Sequence, residues 1–330
     1  MRKLIGFIFA VIALAFAGVP AQAQNVTMRV SHQVPPGHHL SKMLETFAAE
    51  AKKLSNGAVD VQILGSSSAF KPAENYPSVA RGAIEAALSV NLQWGTTIPE
   101  INAVVIPYLF GDLERIKKFP GSPAAKILDQ KLEEKGVHNI AWFYITRQAI
   151  YTSSKKPIIS LDDFKGLKIR GFNKLADEAL RAVGAAPSAI AGDEVYQALQ
   201  TGVLDAGITD ISAAYSRKYY EVQKYGTVTP ALTAYFHLYV NPAWWGKLSP
   251  ANRSAIEQAA KTAEAASIDI TEKTAADAVR QLQEKGMILH VQNPQEIAIW
   301  KATMQKPVID AFLKAAPQDG QKLIDLLNKL

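Results

Sequence analysis

Residues 26 to 32, VTMRVSH, alternate apolar and polar positions and are rich in β-formers, the pattern of a half-buried strand. A loop, PPGHH, leads into a segment with Leu44, Phe47, Ala48, Ala51 and Leu54 at helical spacing, which Gly57 stops. AVDVQIL (58 to 64) reads as the next strand, followed by the Gly-Ser-rich loop GSSSAF. NYPSVARGAIEAALSVN then gives a helix, a turn and a strand ending near Asn91. This βαβ rhythm predicts a mostly parallel sheet covered by helices.

The rhythm resumes further on. HNIAWFYITRQAIYTSS is long, apolar and aromatic, and fits one bent strand or two. KGLKIRG is a strand; NKLADEALRAVGAAP is a helix stopped at Gly184. GDEVYQALQTGVLDAGITD gives a helix with Asp193 as its N-cap, a Gly202 stop, and a strand from Leu204 to about Thr209. YFHLYVN (235 to 241) is a further strand. Residues 249 to 286 then run helically with no internal Gly or Pro, a span of about 50 Å. Two amphipathic helices finish the chain. Two α/β halves without a floppy linker imply that the chain crosses between them more than once, and a cleft lined by both is the default site.

The first residues add a compartment. Arg2 and Lys3, an apolar run from Leu4 to Val19 and Ala21-Gln22-Ala23 form an export signal with cleavage expected after Ala23, giving a soluble periplasmic protein. The run is short for an uncleaved spanning anchor. The 330 residues contain no cysteine, so an exported chain of this size depends on its core. Losing Arg2 and Lys3 takes 36 Lys and Arg against 30 Asp and Glu to 34 against 30, from +6 to +4. The charges are interspersed, without a nucleic-acid footprint.

Enzyme signatures are missing. There is neither a GxxxxGK[ST] loop, nor a strand followed by GxGxxG, nor a GxSxG elbow. His32, His38 and His39 lie close in sequence, but with no cysteine and no carboxylate in the motif they fit hydrogen bonding better than metal ligation. The pairs Asp162-Asp163 and Glu133-Glu134 have no evident acid–base partner. No cofactor and no metal are expected.

Several segments together resemble the periplasmic solute-binding subunit of TRAP transporters, the DctP-like family. KKPIISLDDFKGLKIRG carries the most specific likeness, followed in order by GDEVYQALQTGVLDAGITD, RKYYEVQKYGTVT and YVNPAWWGKLSPANRSAIEQAA. The N-terminal half is similar through SSAFKPAENYPSVARGAIEAALS. The resemblance covers essentially the whole mature chain. It implies a two-domain α/β fold like that of periplasmic binding proteins, with a central mixed sheet in each domain and a long helix spanning both. The implied limits are 1–23 for the signal, 24–146 plus 232–265 for domain I, 147–231 plus 266–290 for domain II, and 291–330 for helices packing across them. It also implies capture of a small organic acid, delivery to the TRAP permease membrane subunits, no ATP site, and a monomer in solution.

Within GLKIRG, Lys168 and Arg170 share one strand face, and Arg170 stands at the carboxyl end, where open α/β sheets bind ligands. A guanidinium grips a carboxylate by two parallel N–H···O bonds and stays charged when desolvated. The resemblance makes Arg170 the carboxylate anchor, with Gly171 allowing a close approach; the residues alone equally allow a pair with Asp162 or Asp163. Arg147 is the candidate second arginine, although an ungapped match puts Ala149 at that position; a hinge-surface role is the alternative. Thr209 and Asp210 are candidates for a second polar group, unless Asp210 caps the next helix. Asn91, Gln93, Trp94, Ser31, His32 and Phe70 are candidates from the first domain. Phe172, Tyr235 and Phe236 are wall or core aromatics. Were several to face the cleft, an aromatic or branched monocarboxylate would fit better than a small dicarboxylate. The competing functions are an exported enzyme acting on a carboxylate substrate and a ligand-sensing partner of a membrane receptor.

Overall fold

The computed structural model describes residues 25–330, so the export signal and its Ala23 cleavage lie outside the described residues. The strands are β1 (Val26–Ser31), β2 (Val59–Leu64), β3 (Ala86–Val90), β4 (His138–Thr146), β5 (Ala149–Ser153), β6 (Lys168–Gly171), β7 (Ala186–Ala189), β8 (Ala206–Asp210), β9 (Tyr225–Thr229), β10 (Ala234–Val240) and β11 (Ile288–Val291). They form a five-stranded sheet ordered β2-β1-β3-β10-β4 and a six-stranded sheet ordered β11-β9-β5-β8-β6-β7.

Both sheets are mixed. Most pairings are parallel, as the βαβ rhythm predicts, and the mixing is what the resemblance implies: β10 runs antiparallel to β3 and β4, and β5 runs antiparallel to β8 and β9. These are the strands by which the chain enters each sheet from the other. β5 follows β4 after two residues, and β10 follows β9 after a short loop. Each therefore starts at the cleft, where its parallel neighbours end, and must run against them. A parallel entry needs a crossover of a dozen residues or more, and the sequence supplies none there. The long aromatic segment is accordingly two strands, broken at Arg147 and Gln148.

The long helix, Pro250–Glu284, is capped by Ser249, whose side chain accepts from Asn252 N. Its buried face is mostly small, with Ala255, Ala259, Ala263, Ser267, Thr271, Ala275 and Ala278 between the larger Ile256 and Leu282. Small side chains let the helix lie close along the first helix (His39–Leu54) and β4, and then along the 211–216 helix of the other half. It also closes the open edge of β4. Glu264 Oε1 accepts from Trp142 N at 2.6 Å, Ser267 Oγ accepts from Tyr144 N at 3.1 Å, and Thr271 Oγ1 donates to Tyr144 O at 2.8 Å. Polar residues inside a buried helix face thus replace the neighbour strand that an edge lacks.

The Pro294–Ala315 helix touches both halves. Trp300 packs on Tyr151 and Phe164 with ring centroids 5.6 and 5.0 Å away, while Gln305 Nε2 donates to Pro107 O at 2.7 Å. Gly57 and Gly184 take φ of +85° and +79°, the left-handed stops read from the sequence. Asp193 is not the N-cap expected of it: Glu194 holds that position, and Asp193 Oδ2 instead accepts from Ser67 Oγ of the other half at 2.7 Å.

Candidate functional site

The carboxyl ends of β3, β4, β6 and β8 and the start of β10 converge on an inner cavity of about 30 Å³. It is lined by Val90, Leu92, Ile145, Thr146, Arg170, Phe172, Thr209, Asp210, Arg217, Leu232, Ala234, Phe236 and Gln33. Two outer chambers of about 470 and 200 Å³ share lining residues with it. The halves are bonded directly across the cleft. Asn173 Nδ2, after β6, donates to Leu92 O and Asn102 Oδ1 at 3.0 Å each, and the Ser67–Asp193 bond lies elsewhere between the halves.

Arg170 is 7% exposed. Its Nε donates to Ile190 O at 3.1 Å and its Nη1 to Ile208 O at 2.7 Å, and its guanidinium carbon lies 4.9 Å from the Phe172 ring centroid. Two carbonyls and a ring fix the plane of the group without neutralising it. No carboxylate of the described residues lies within 4.0 Å of it. The alternative pairing is ruled out: Asp163 accepts from Ile159 N and from Ser160 N and Oγ, and Asp162 pairs with Lys165 at 2.7 Å. Burial pushes the arginine's pKa down and Arg217 adds to that, against the pull of Asp210 and Asp177. A buried guanidinium still holds its proton, so the site keeps an unneutralised positive charge. Gly171 serves its own chain turn. A Cβ there would meet Asp177 Oδ2 at 2.3 Å, and Asp177 Oδ1 takes Phe172 N at 2.7 Å.

Thr209 and Asp210, both buried at the end of β8, line the inner cavity, as do Phe172 and Phe236. Asp210 also caps the Ile211–Ser216 helix by accepting from Ala213 N at 2.8 Å, the alternative read from the sequence. The other candidates lie elsewhere. Arg147 binds Glu272 of the long helix, through Nε at 3.1 and 3.2 Å and Nη2 at 2.7 Å, and Tyr144 Oη donates to the same carboxylate at 2.7 Å. It is an ion pair within the chain, and the sequence position between β4 and β5 explains why: the crossing backbone passes the long helix there. Asn91 turns inward, its Oδ1 accepting from Tyr235 N at 3.2 Å. Tyr235 is core, 4.7 Å from the Phe119 ring, with its hydroxyl donating to Ile116 O at 3.2 Å. Trp94 packs among Tyr76, His237 and Tyr239. His32 is buried, its Nδ1 accepting from Val34 N at 3.3 Å, and burial pushes its pKa down to about 4. Gln93 lines an outer chamber. No group of His, Asp and Glu fit to hold a metal ion occurs among the described residues.

Sequence reasoning missed eight of the thirteen residues that line the inner cavity, the polar Gln33 and Arg217 among them. Gln33 touches all three chambers, and Arg217 touches the inner and the larger outer one. Arg217 follows the short helix after β8 and precedes Lys218, so it reads as half of a solvated basic pair. The usable signal was its place: the first turn beyond a strand end that faces the cleft.

The family described as bacterial extracellular solute-binding protein, family 7 (DctP), matches residues 30–315. The chain is 30% identical over 313 residues to the C4-dicarboxylate-binding periplasmic protein DctP of Rhodobacter capsulatus, covering 94% of this chain and 93% of that one. It superposes with a TM-score of 0.86 at 26% identity on a TRAP periplasmic solute-binding protein of Desulfovibrio salexigens with bound orotic acid, over 92% and 97% of the two chains. A TRAP protein of Sulfurospirillum deleyianum with bound succinate shares the fold, with a TM-score of 0.82 at 24% identity over 92% and 98%. Proteins of this family bind solutes outside the cytoplasm for transport and work with TRAP membrane components; they are not enzymes. The chain belongs to the DctP family of bacterial extracellular solute-binding proteins, and is the substrate-binding component of a TRAP transporter.

Proposed function

We propose that this protein holds the carboxylate of a small organic acid on Arg170, between two domains that close on it. The observation that carries this reading is a buried arginine oriented by two backbone carbonyls and a phenyl ring, with no carboxylate of the described residues within 4.0 Å. Such a group is costly to bury alone and is neutralised by an arriving anion. Thr209 and Asp210 serve a second polar group of the ligand, and Phe172 and Phe236 supply its apolar walls. Asn91, Tyr235, Trp94 and His32 support those walls from behind, and Arg147 belongs to the hinge. The domains divide at 146/147 and 231/232 and again along the long helix near 265, the last 40 residues bracing both. Export with cleavage after Ala23, a monomer in solution and no nucleic-acid partner complete the reading.

A thermal-shift screen tests it. Orotate, glucuronate, galacturonate, pyroglutamate and succinate, with aromatic and branched monocarboxylates, are added to the mature protein and to Arg170→Ala. At least one acid raises the wild-type midpoint by mass action and none raises that of the variant. An acid that stabilises both equally overturns the assignment.

A further inference from the structure

Asn173 and Asn102 meet across the two halves, away from the chambers of the cleft. Asn173 follows β6, and Asn102 lies in the short helical turn Pro99–Val105 beyond β3. Both are buried. Neither lines the inner cavity or an outer chamber. Leu92 does, but here it contributes only its backbone oxygen.

Each amide is oriented by its own half before the halves meet. Asn173 Oδ1 accepts from Leu175 N at 3.1 Å and from Ala176 N at 3.0 Å, which turns Nδ2 outward. Asn102 Nδ2 donates to Gly95 O at 2.9 Å and to Pro99 O at 3.0 Å, which turns Oδ1 toward Asn173. One half thus presents an amide NH2 group, and the other presents two acceptors, Leu92 O and Asn102 Oδ1, each 3.0 Å from Asn173 Nδ2. Both protons of Asn173 Nδ2 and both lone pairs of its Oδ1 are used. Gly95 makes room for this meeting. Its φ of −57° suits any residue, yet a Cβ there would fall within 3.0 Å of Asn173 Nδ2 and of both polar side-chain atoms of Asn102. Opening the cleft breaks the bonds of Asn173 Nδ2 and none of those that orient the two amides. A contact preorganised on both sides costs little ordering when it forms, and it forms without a bound molecule.

We propose that Asn173 is a positioning residue, a latch that holds a fraction of the unliganded molecules closed and thereby strengthens the binding of every ligand by the same factor. This rests on the reading of two domains that close on an acid, and adds the part of closure that no ligand supplies. Apparent affinity follows the fraction of molecules already in the binding-competent form. A latch outside the chambers therefore sets how tightly acids bind and does not select among them.

The test uses Asn173→Asp, which replaces Nδ2 by an oxygen. The variant keeps an acceptor for Leu175 N and Ala176 N, so its own half stays built. It also turns a charged acceptor toward Leu92 O and Asn102 Oδ1, which disfavours closure. Small-angle X-ray scattering of the mature protein without ligand is expected to give a larger radius of gyration for the variant than for the wild type. In calorimetric titration with orotate, glucuronate, galacturonate, pyroglutamate and succinate, each acid that binds the wild type is expected to bind the variant about tenfold more weakly or worse, by a factor common to all within about twofold. Asn173→Ser keeps the acceptor on a side chain too short to reach the other half, and carries both measurements if Asn173→Asp fails to fold. Coincident unliganded radii, an unchanged affinity, or a loss confined to one acid among several overturns the latch while leaving the Arg170 anchor standing. If no acid binds the wild type, the anchor reading falls, and the ligand-free scattering still decides the latch.

Discussion

Arg147 and Arg170 both stand at strand ends between the two sheets, and the protein treats them in opposite ways. At the hinge, Arg147 receives a carboxylate of its own: Glu272 meets it at 2.7 Å, with Tyr144 donating to the same group. The arginine raises its hold on the proton and Glu272 drops below the usual carboxylate range, chiefly through their mutual hydrogen bonds against the cost of burial. In the cleft, Arg170 receives only carbonyls and a ring, and burial weakens its hold on the proton. The hinge pair is complete within the chain, so it can only stabilise. The cleft arginine is incomplete, so it can recognise. What separates the paired arginine from the one proposed as the ligand contact is the partner the fold withholds, which neither the residue type nor its strand-end position reveals.

The largest expected effect tests that contrast directly. Arg170→Ala loses affinity for a stabilising acid by about 100-fold or more, the usual cost of removing one partner of a buried charged pair. Arg147→Ala stays within about threefold of wild type in the same titration. A hundredfold loss at Arg147 would erase the distinction. The reverse holds for stability without ligand. Removing Arg147 leaves Glu272 half buried with the Tyr144 hydroxyl but no paired cation, whereas removing Arg170 relieves an unneutralised buried charge.

The sequence carried most of the architecture and five of the thirteen residues that line the inner cavity. Strand and helix order was legible because alternation, helical spacing and glycine stops are local, as at Gly57 and Gly184. The reversed strands β5 and β10 were not, because direction depends on where the chain enters a sheet. Arg170, Thr209, Phe172 and Phe236 were placed at strand ends by period and position, and all line the inner cavity. Tyr235 and Phe236 read alike as wall or core aromatics, and Phe236 is the one that lines the cavity. Adjacent strand residues face opposite ways, and pattern alone does not say which face is the cleft. Arg217 and Gln33 escaped because lining a cavity rests on three-dimensional neighbours, which for Arg217 include Gly192.

Glu264 extends the comparison to a buried carboxylate with no cation within 4.0 Å, Lys261 acting on it only from further off. It sits on the long helix, accepting from Trp142 N at 2.6 Å, and burial pushes its pKa up to about 7, with Asp129 nearby adding to this. A raised folded-state pKa favours the protonated form. The associated stability is present below the unfolded value of about 4.5 and is lost as pH rises through 7. Chemical denaturation of the unliganded protein at pH 5 and pH 8 should differ by about 2 kcal/mol on this account, partial exposure reducing the full shift. Glu264→Gln should flatten that slope; an unchanged slope assigns it to other groups.

A smaller effect comes from the hinge pair itself. Arg147→Ala should destabilise the unliganded protein by about 1 kcal/mol, because both side chains are about a third exposed and solvent screens them. Since the folded pKa of Glu272 is depressed, the stabilisation exists above the unfolded carboxylate value and fades as pH falls through the folded one. The difference between wild type and variant therefore shrinks in acid. A difference that persists with Glu272 protonated would mean that Arg147 acts through packing.

The smallest effect lies at the rim of the cleft, where Ser67 Oγ donates to Asp193 Oδ2 across the two halves. This bond is exposed and forms only when the halves meet, so it contributes to closure and not to the stability of either half. An exposed hydrogen bond to a charged acceptor is worth at most about 1 kcal/mol here, which is about fivefold in affinity. Ser67→Ala should weaken acid binding by no more than that, through faster dissociation, and leave the unliganded unfolding midpoint unchanged. Stopped-flow release of a bound acid reads it. The same release experiment on Arg147→Ala distinguishes rim from hinge: a pair internal to the hinge has no reason to hold the closed form, so its release rate should match the wild type. If Arg147→Ala instead accelerates release as much as Ser67→Ala, the hinge pair differs between open and closed states, and Arg147 takes part in recognition after all, by way of the motion rather than by touching the ligand.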